Sequence, residues 1–376
     1  MIVERKIIVE LVNSDQFQNL ENIGINRNSI KFNPVHILLS NINRNGINSI
    51  KINTSDNHHL QKLYLTYVAE VSSTDAEDLI RLIKEINPVY VELNEFQKIH
   101  CEPTISEECL LSKFPFKDFH LDTIWQSTLG DGATVAVIDT DSNYHLNLSP
   151  KNIPQTKLER NLNENIHSTD ILMLIGAPQD KNYHVGIAPN TSLHLLSEFK
   201  DKYGDSVNLS LLIHTASDME SVDVINLSWG PGKSKEIQRA ILYAFSKGKY
   251  IVCSVGNNGA EVEHDSMAAM EETISVGACY ANKSKYRNSN FGKFVDIWLP
   301  GAELNFFYKT NLIKEKSGTS YSAGLMSGFI ALIVSRCKVM NKAVPQKNLL
   351  LKNIGSSIEG KHVFNIEKFI NYLNSI

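Results

Sequence analysis

Ser320 stands where a short turn of small residues, Ser317-Gly318-Thr319, runs into an apolar segment that continues to Ile333. A serine in the first turn of a helix sits among backbone N–H groups that lack intrahelical partners, at the positive end of the helix dipole. Such a place suits a nucleophilic hydroxyl, because the same N–H groups can hold an oxyanion. On this stretch alone an ordinary N-cap serine is the simpler reading. His167 opens a second apolar run, Ile171 to Ala177. Histidine is the side chain whose pKa best suits acid–base work near neutrality. The chain has 12 histidines, so most are structural; His145 and His184 are near in sequence, but neither opens a helical run. Asp139 closes the apolar run Ala133-Thr134-Val135-Ala136-Val137-Ile138. A buried charge there must be paired, and a turn aspartate after a strand is the equally good plain reading. Asn257, in Gly256-Asn257-Asn258-Gly259, could present its amide to a ligand or simply make a turn.

The elements around these residues set where they fall. Apolar runs predict strands at 133–138, 192–196, 222–230, 250–255, 273–278 and 294–298. Helices are predicted at 206–219 and 235–247, the second closed by Gly248. Strands alternating with helices argue for an α/β fold, a mostly parallel sheet with helices on both faces. The candidate residues then lie at C-terminal ends of strands or starts of helices, where sites form in such sheets. In the Ser320 segment, Gly324, Gly328 and Ala331 give one small face suited to close packing, and the run reads as too short and too interrupted for a membrane span.

Residues 1–100 read as a separate small α+β domain. Strand character appears at 6–12, 35–39, 47–52, 63–71 and 89–93. A capping-box pattern, Thr74-Asp75-Ala76-Glu77, opens a helix with Ala76, Leu79, Ile83 and Ile86 on one face, stopped at Asn87-Pro88. Residues 94–98 show no pattern, 101–118 read as a linker before a short helix near 121–127, and 119–376 form the main domain. The tail carries helices at 346–353 and 365–374. There is no internal repeat, no glycine-rich phosphate loop and no zinc-type spacing.

Composition narrows the class. Hydrophobic content of 42%, charged content of 21% and a net charge of −4 describe a soluble globular protein with no nucleic-acid or membrane partner. Charges interrupt the first apolar run at Glu4, Arg5 and Lys6, so it does not read as a secretory signal. The five cysteines, Cys101, Cys109, Cys253, Cys279 and Cys337, have no metal-ligand spacing. They read as reduced packing thiols of a cytoplasmic protein.

Taken in order, these segments resemble the subtilisin-like serine proteases, the subtilases or peptidase S8 family, from about residue 120 to the end. The order Asp139, His167, Ser320 is the family's. Val135-Ala136-Val137-Ile138-Asp139-Thr140 is similar to its aspartate segment, and Gly186-Ile187-Ala188-Pro189-Asn190 to the turn after its histidine helix. Asp223 to Gly230 is similar to its substrate-binding strand, Ser254-Val255-Gly256-Asn257 to its oxyanion segment, and Gly318-Thr319-Ser320 to its nucleophile signature. Thr273 to Ala278 and Val295 to Gly301 also match.

The resemblance implies a serine endopeptidase in which Asp139, His167 and Ser320 form the triad and Asn257 helps hold the oxyanion. Ser228, Trp229, Gly230, Ser254, Val255 and Gly256 would flank a peptide or protein substrate, with the bulky Trp229 narrowing or covering the groove. It implies no cofactor; calcium is left open, since no acidic loop has a calcium-binding spacing. The N-terminal region would be a ferredoxin-like propeptide that acts as an intramolecular inhibitor, with a processing site between Leu93 and Phe116. The neighbourhoods of the three residues depart from the family. Asp141 follows the aspartate's Thr140, Asp170 stands where the family has histidine, and Tyr321, Ser322 and Gly324 replace Met, Ala and Pro. Asp141 and Asp170 are expected to raise the His167 pKa and move the pH optimum upward. Two readings follow, an active serine endopeptidase, engaged in general turnover or in selective processing of a partner, and a pseudoprotease that binds peptides without cutting them.

Overall fold

The computed structural model describes residues 4–10, 33–34, 66–72, 76–84, 88, 90–93, 96–98, 102–105, 118–140, 167–177, 186–199, 203–230, 232–307 and 313–376. The strands expected at 35–39 and 47–52, the cap residues Thr74 and Asp75, and Asp141 lie outside them.

An eight-stranded sheet organises the chain, with β16 (Gly355–Ile358) at one edge, antiparallel to its neighbour. Its parallel part runs β8 (Ser192–Phe199), β7 (Thr134–Thr140), β10 (Val224–Leu227), β11 (Tyr250–Ser254), β12 (Thr273–Cys279), β13 (Ile297–Pro300) and β17 (Lys361–Phe364). The central strands β7, β10, β11 and β12 read as nearly continuous apolar runs because both faces of the sheet are covered there. Side chains alternate along each strand. Val135, Val137, Val224, Val252, Ile274 and Val276 enter one core half with the histidine helix, His167–Gly176, and the serine helix, Thr319–Val339. Ala136, Ile138, Ile225, Leu227, Ile251 and Cys253 enter the other, beneath the helices Ser206–Asp218 and Lys235–Ser246. The parity puts Asp139 on the first face, the one that carries both His167 and Ser320.

The serine helix is the axis of that face. It is 21 residues long, with a hydropathy of 1.3, so by length and composition it could cross a membrane, which corrects the expectation that it is too short. Yet 83% of its apolar window is buried inside the protein. It is apolar on all sides because the sheet, the histidine helix and the C-terminal helices surround it. Phe329 meets Phe119, Phe364 and Phe369 at ring-centroid distances of 5.1, 4.4 and 4.8 Å.

The tail holds the helices Lys347–Ile354 and Ile366–Ser375, and between them a hairpin that the sequence reading missed, β16 (Gly355–Ile358) and β17. Its two turn residues, Glu359 and Gly360, both have positive φ (49° and 76°), the twist-matched turn of two-residue hairpins.

In the N-terminal region β1 (Glu4–Glu10) pairs antiparallel with β3 (Thr66–Ser72) and β4 (Tyr90–Leu93), and β2 (Asn33–Pro34) pairs with β3. The helix Ala76–Lys84 connects β3 to β4. Two further strands occupy stretches read as patternless or linker. β5 (Phe96–Lys98) pairs with β9 (Tyr203–Asp205), and β6 (Glu102–Ile105) pairs with β15 (Ile313–Ser317), which also forms a hairpin with β14 (Leu304–Phe307).

The glycines of the serine helix divide sharply. A Cβ on Gly328 would lie 2.7 Å from Ile187 Cβ, whereas one on Gly324 would make ordinary contact with Ile171 at 3.5 Å. In a Ser320→Ala background, Gly328→Ala is expected to lower stability by about 1–3 kcal/mol through overpacking. Gly324→Ala should be neutral or raise stability by up to ~1 kcal/mol, the helix propensity gain. Denaturant titration of the two variants checks the contrast.

Candidate active site

Asp139 sits near the C-terminal end of β7, where the register with β8 shifts between Asp139 and Thr140. Such an irregularity re-aims a strand-end side chain. The carboxylate is fully buried and both oxygens lie near one partner: His167 Nδ1 is 2.8 Å from Oδ1 and 2.9 Å from Oδ2. A carboxylate can only accept, so Nδ1 carries the proton and Nε2 is left with the basic lone pair. Nε2 is buried with no hydrogen-bond partner among the described residues. A histidine held this way can take a proton at Nε2.

Ser320 lies in the first turn of the serine helix, and Gly318, not Ser320, is the cap residue. A polar chain anchors that turn to β10. Asn226 Nδ2 donates to Ser327 Oγ (2.9 Å), and Ser228 Oγ donates to Asn226 Oδ1 (2.7 Å) and lies 3.1 Å from Ser320 O. Asn226 was not singled out in the sequence. A polar residue inside a buried strand was the available signal, since it must be hydrogen-bonded there. Ser320 Oγ itself donates to Ser228 O at 2.9 Å.

Asn257 is oriented from the same turn. Thr319 N donates to its Oδ1 at 2.8 Å, which fixes the amide so that Nδ2 faces the other way. Gly256 N donates to Thr319 Oγ1, and Gly256 has φ of 101°, a left-handed conformation that favours glycine. Asn290, also missed in sequence, clamps this loop: its Nδ2 donates to Val255 O while its Oδ1 accepts from Asn258 N and Ala260 N.

The residues expected to flank a substrate occupy the ends of β10 and β11, beside Ser320 and Asn257. Ser254 Oγ donates to Trp229 O, which ties the two segments together. Trp229 is 2% exposed and packs with Val255, Met267 and Ala268, so its indole belongs to the core and does not cover the groove as expected. Tyr321 is fully buried against His167 (ring centroids 5.9 Å) and Phe306 (5.1 Å). Ser322 Oγ donates to Leu299 O. Asp170, read in the sequence as an added carboxylate near His167, is ion-paired: Lys316 Nζ lies 2.5 Å from its Oδ2. Among the described residues no group of three or more His, Cys, Asp or Glu side chains is arranged to hold a metal ion.

Over residues 130–365 the sequence matches the profile described as the subtilase family, peptidase S8. The chain belongs to the subtilase family. As a subtilase it is a subtilisin-like serine endopeptidase, acting on peptide or protein substrates. It is 26% identical to subtilisin DY of Bacillus licheniformis over 214 residues, which is 55% of this chain and 78% of that one. The fold is similar to that of the epidermin leader peptide processing serine protease from Staphylococcus aureus, with a TM-score of 0.66 and 18% identity over 99% of each chain. It is also similar to the prenylagaramide maturation protease PagA, with a TM-score of 0.56 and 21% identity over 67% of this chain and 98% of that one.

Cys253, next to Ser254, is no rival nucleophile. Burial pushes its thiol, and that of Cys279, up to about 12 from the usual 9.0. Burial also raises Tyr243 and Tyr250. A group whose folded pKa is raised stabilises the fold fully below its unfolded pKa and loses that contribution as pH rises toward the folded value. The subtilase is therefore expected to lose stability steadily from pH 9 to 12, and both thiols to resist alkylation until the chain unfolds. Denaturation midpoints against pH, with mass spectrometry of alkylated protein, check both.

Proposed function

We propose that Asp139, His167 and Ser320 form the catalytic triad and that Asn257 Nδ2, with first-turn N–H groups of the serine helix, holds the oxyanion. The observation that carries this reading is the buried Asp139–His167 pair, which leaves Nε2 as the base on the face that carries Ser320. Ser320 Oγ turns from Ser228 O toward Nε2, passes its proton there and attacks the substrate carbonyl. The tetrahedral oxyanion collapses, the imidazolium gives its proton to the leaving amine, and water releases the acyl group by the same route. Asp139 holds the ring and supports its positive charge.

The N-terminal segment supports a selective, self-restrained enzyme. β5 ends at Lys98 on β9, which leads into the helix Ser206–Asp218, while Glu102 of β6 lies opposite Ser317, three residues before Ser320. Both pairings are antiparallel, the way an extended peptide adds to a strand edge. Four peptide steps span at most ~14 Å. We therefore assign the self-processing site to the bonds between Lys98 and Glu102, and inhibition of the cleft to the same stretch before cutting. Epidermin leader processing and prenylagaramide maturation, the roles named for two proteins of similar fold, are both selective cleavages, and we assign this chain to that kind of task. The buried free thiols Cys253, Cys279 and Cys337 suit a reducing cytoplasm.

A fluorophosphonate probe is expected to label the folded wild-type protein and not Ser320→Ala. Absence of wild-type labelling would instead favour a peptide-binding pseudoprotease. On incubation the wild type, but not Ser320→Ala, should release a fragment whose N-terminus is Ile99, His100, Cys101 or Glu102. A fragment starting elsewhere would overturn the assignment.

A further inference from the structure

The histidine helix carries a second buried carboxylate one turn beyond His167. Asp170 is 1% exposed, and the cation that meets it, Lys316, is 4% exposed. Lys316 comes from β15, whose next residue lies opposite Glu102. Its ammonium also lies over the Phe306 ring, 5.5 Å from the centroid. Phe306 packs on Tyr321, whose hydroxyl is 3.5 Å from Asp170 Oδ2 and whose ring flanks the imidazole. Among the described residues, the charged and titratable groups around His167 are thus Asp139 from β7, Asp170 from its own helix, Lys316 from β15 and Tyr321 from the serine helix.

Two charges taken out of water recover their lost solvation only with good geometry, so stability alone is a weak reason for such a pair. Its placement supplies another. Residues three apart on a helix share a face, about 5–6 Å apart at Cβ, so the Asp170 charge is felt at His167 unless something cancels it. Lys316 cancels it, from the strand that also borders the N-terminal segment.

We propose that Lys316 and Asp170 are positioning residues for His167. The pair pins the histidine helix to the strand beside the cleft and, being neutral as a unit, adds no net charge beside the imidazole. This rests on the triad reading, and the test separates the two. Wild type is first labelled with the fluorophosphonate probe; no Ser320-dependent labelling overturns the triad reading and this one with it. With labelling established, kcat/KM for a peptide substrate is measured against pH for Lys316→Met, Asp170→Asn and the double variant. Lys316→Met leaves a negative charge that favours imidazolium, so the acid limb moves to higher pH. Asp170→Asn leaves a positive charge, and the limb moves to lower pH. Shifts of about one pH unit in opposite directions are expected, with kcat reduced and KM little changed. The double variant should return the limb to the wild-type position, and Lys316→Arg should keep it there. The imidazole titration by NMR in a Ser320→Ala background should follow the same order. A purely structural pair would lower the folded fraction and leave the limb in place. Unshifted limbs in both single variants overturn the proposal. If a single variant does not fold, the double variant decides: a shifted limb, or failure to fold, overturns it.

Discussion

A fully buried carboxylate at the end of a strand must find a partner, and Asp139 finds the imidazole of His167. Much of the fold serves that contact. Strand parity turns Asp139 toward the face where the histidine helix packs, and the register shift after it aims the carboxylate. The histidine helix in turn is held by Ile171, Leu174 and Ile175 in the core shared with the serine helix. Losing the contact would take a hydrogen-bond donor from a fully buried carboxylate, so fold and site are coupled through this pair.

The serine side is held by a different device. Here a row of small polar side chains, Ser327, Asn226 and Ser228, runs between β10 and the start of the serine helix. Each is buried and each has a partner, so the row fixes position without introducing charge. Asn257 and Asn290 do the same for the loop after β11. Amides and hydroxyls suit this task because their hydrogen bonds are directional and survive burial when complete.

At two strand edges the N-terminal segment meets the main sheet region. β9 and β15 would each present unpaired backbone groups to solvent on one side, and β5 and β6 cover them. Short strands of three and four residues form there because a partner edge is offered, not because their own residues insist on it.

Much of this was legible in the residues. The apolar runs ending in Asp139 and Ser254, and the small-residue turn before Ser320, specify the parallel sheet, its two covered faces and the end where the candidate site gathers. These are local signals, strong because burial on both faces demands them. Other features depended on contacts distant in sequence, and no local pattern announces such contacts. Phe96–Lys98 and Glu102–Ile105 became strands only by meeting β9 and β15. Trp229 read as a residue that narrows or covers the groove, and it lies in the core with Val255, Met267 and Ala268. Asp170 read as an added carboxylate near His167, and the tertiary structure brings Lys316 to it across 146 residues. The sequence by itself determined which residues could do the chemistry and that they lie at the ends of strands or the starts of helices. Only the tertiary structure decided their partners, because a hydrogen bond or ion pair is set by distance in space.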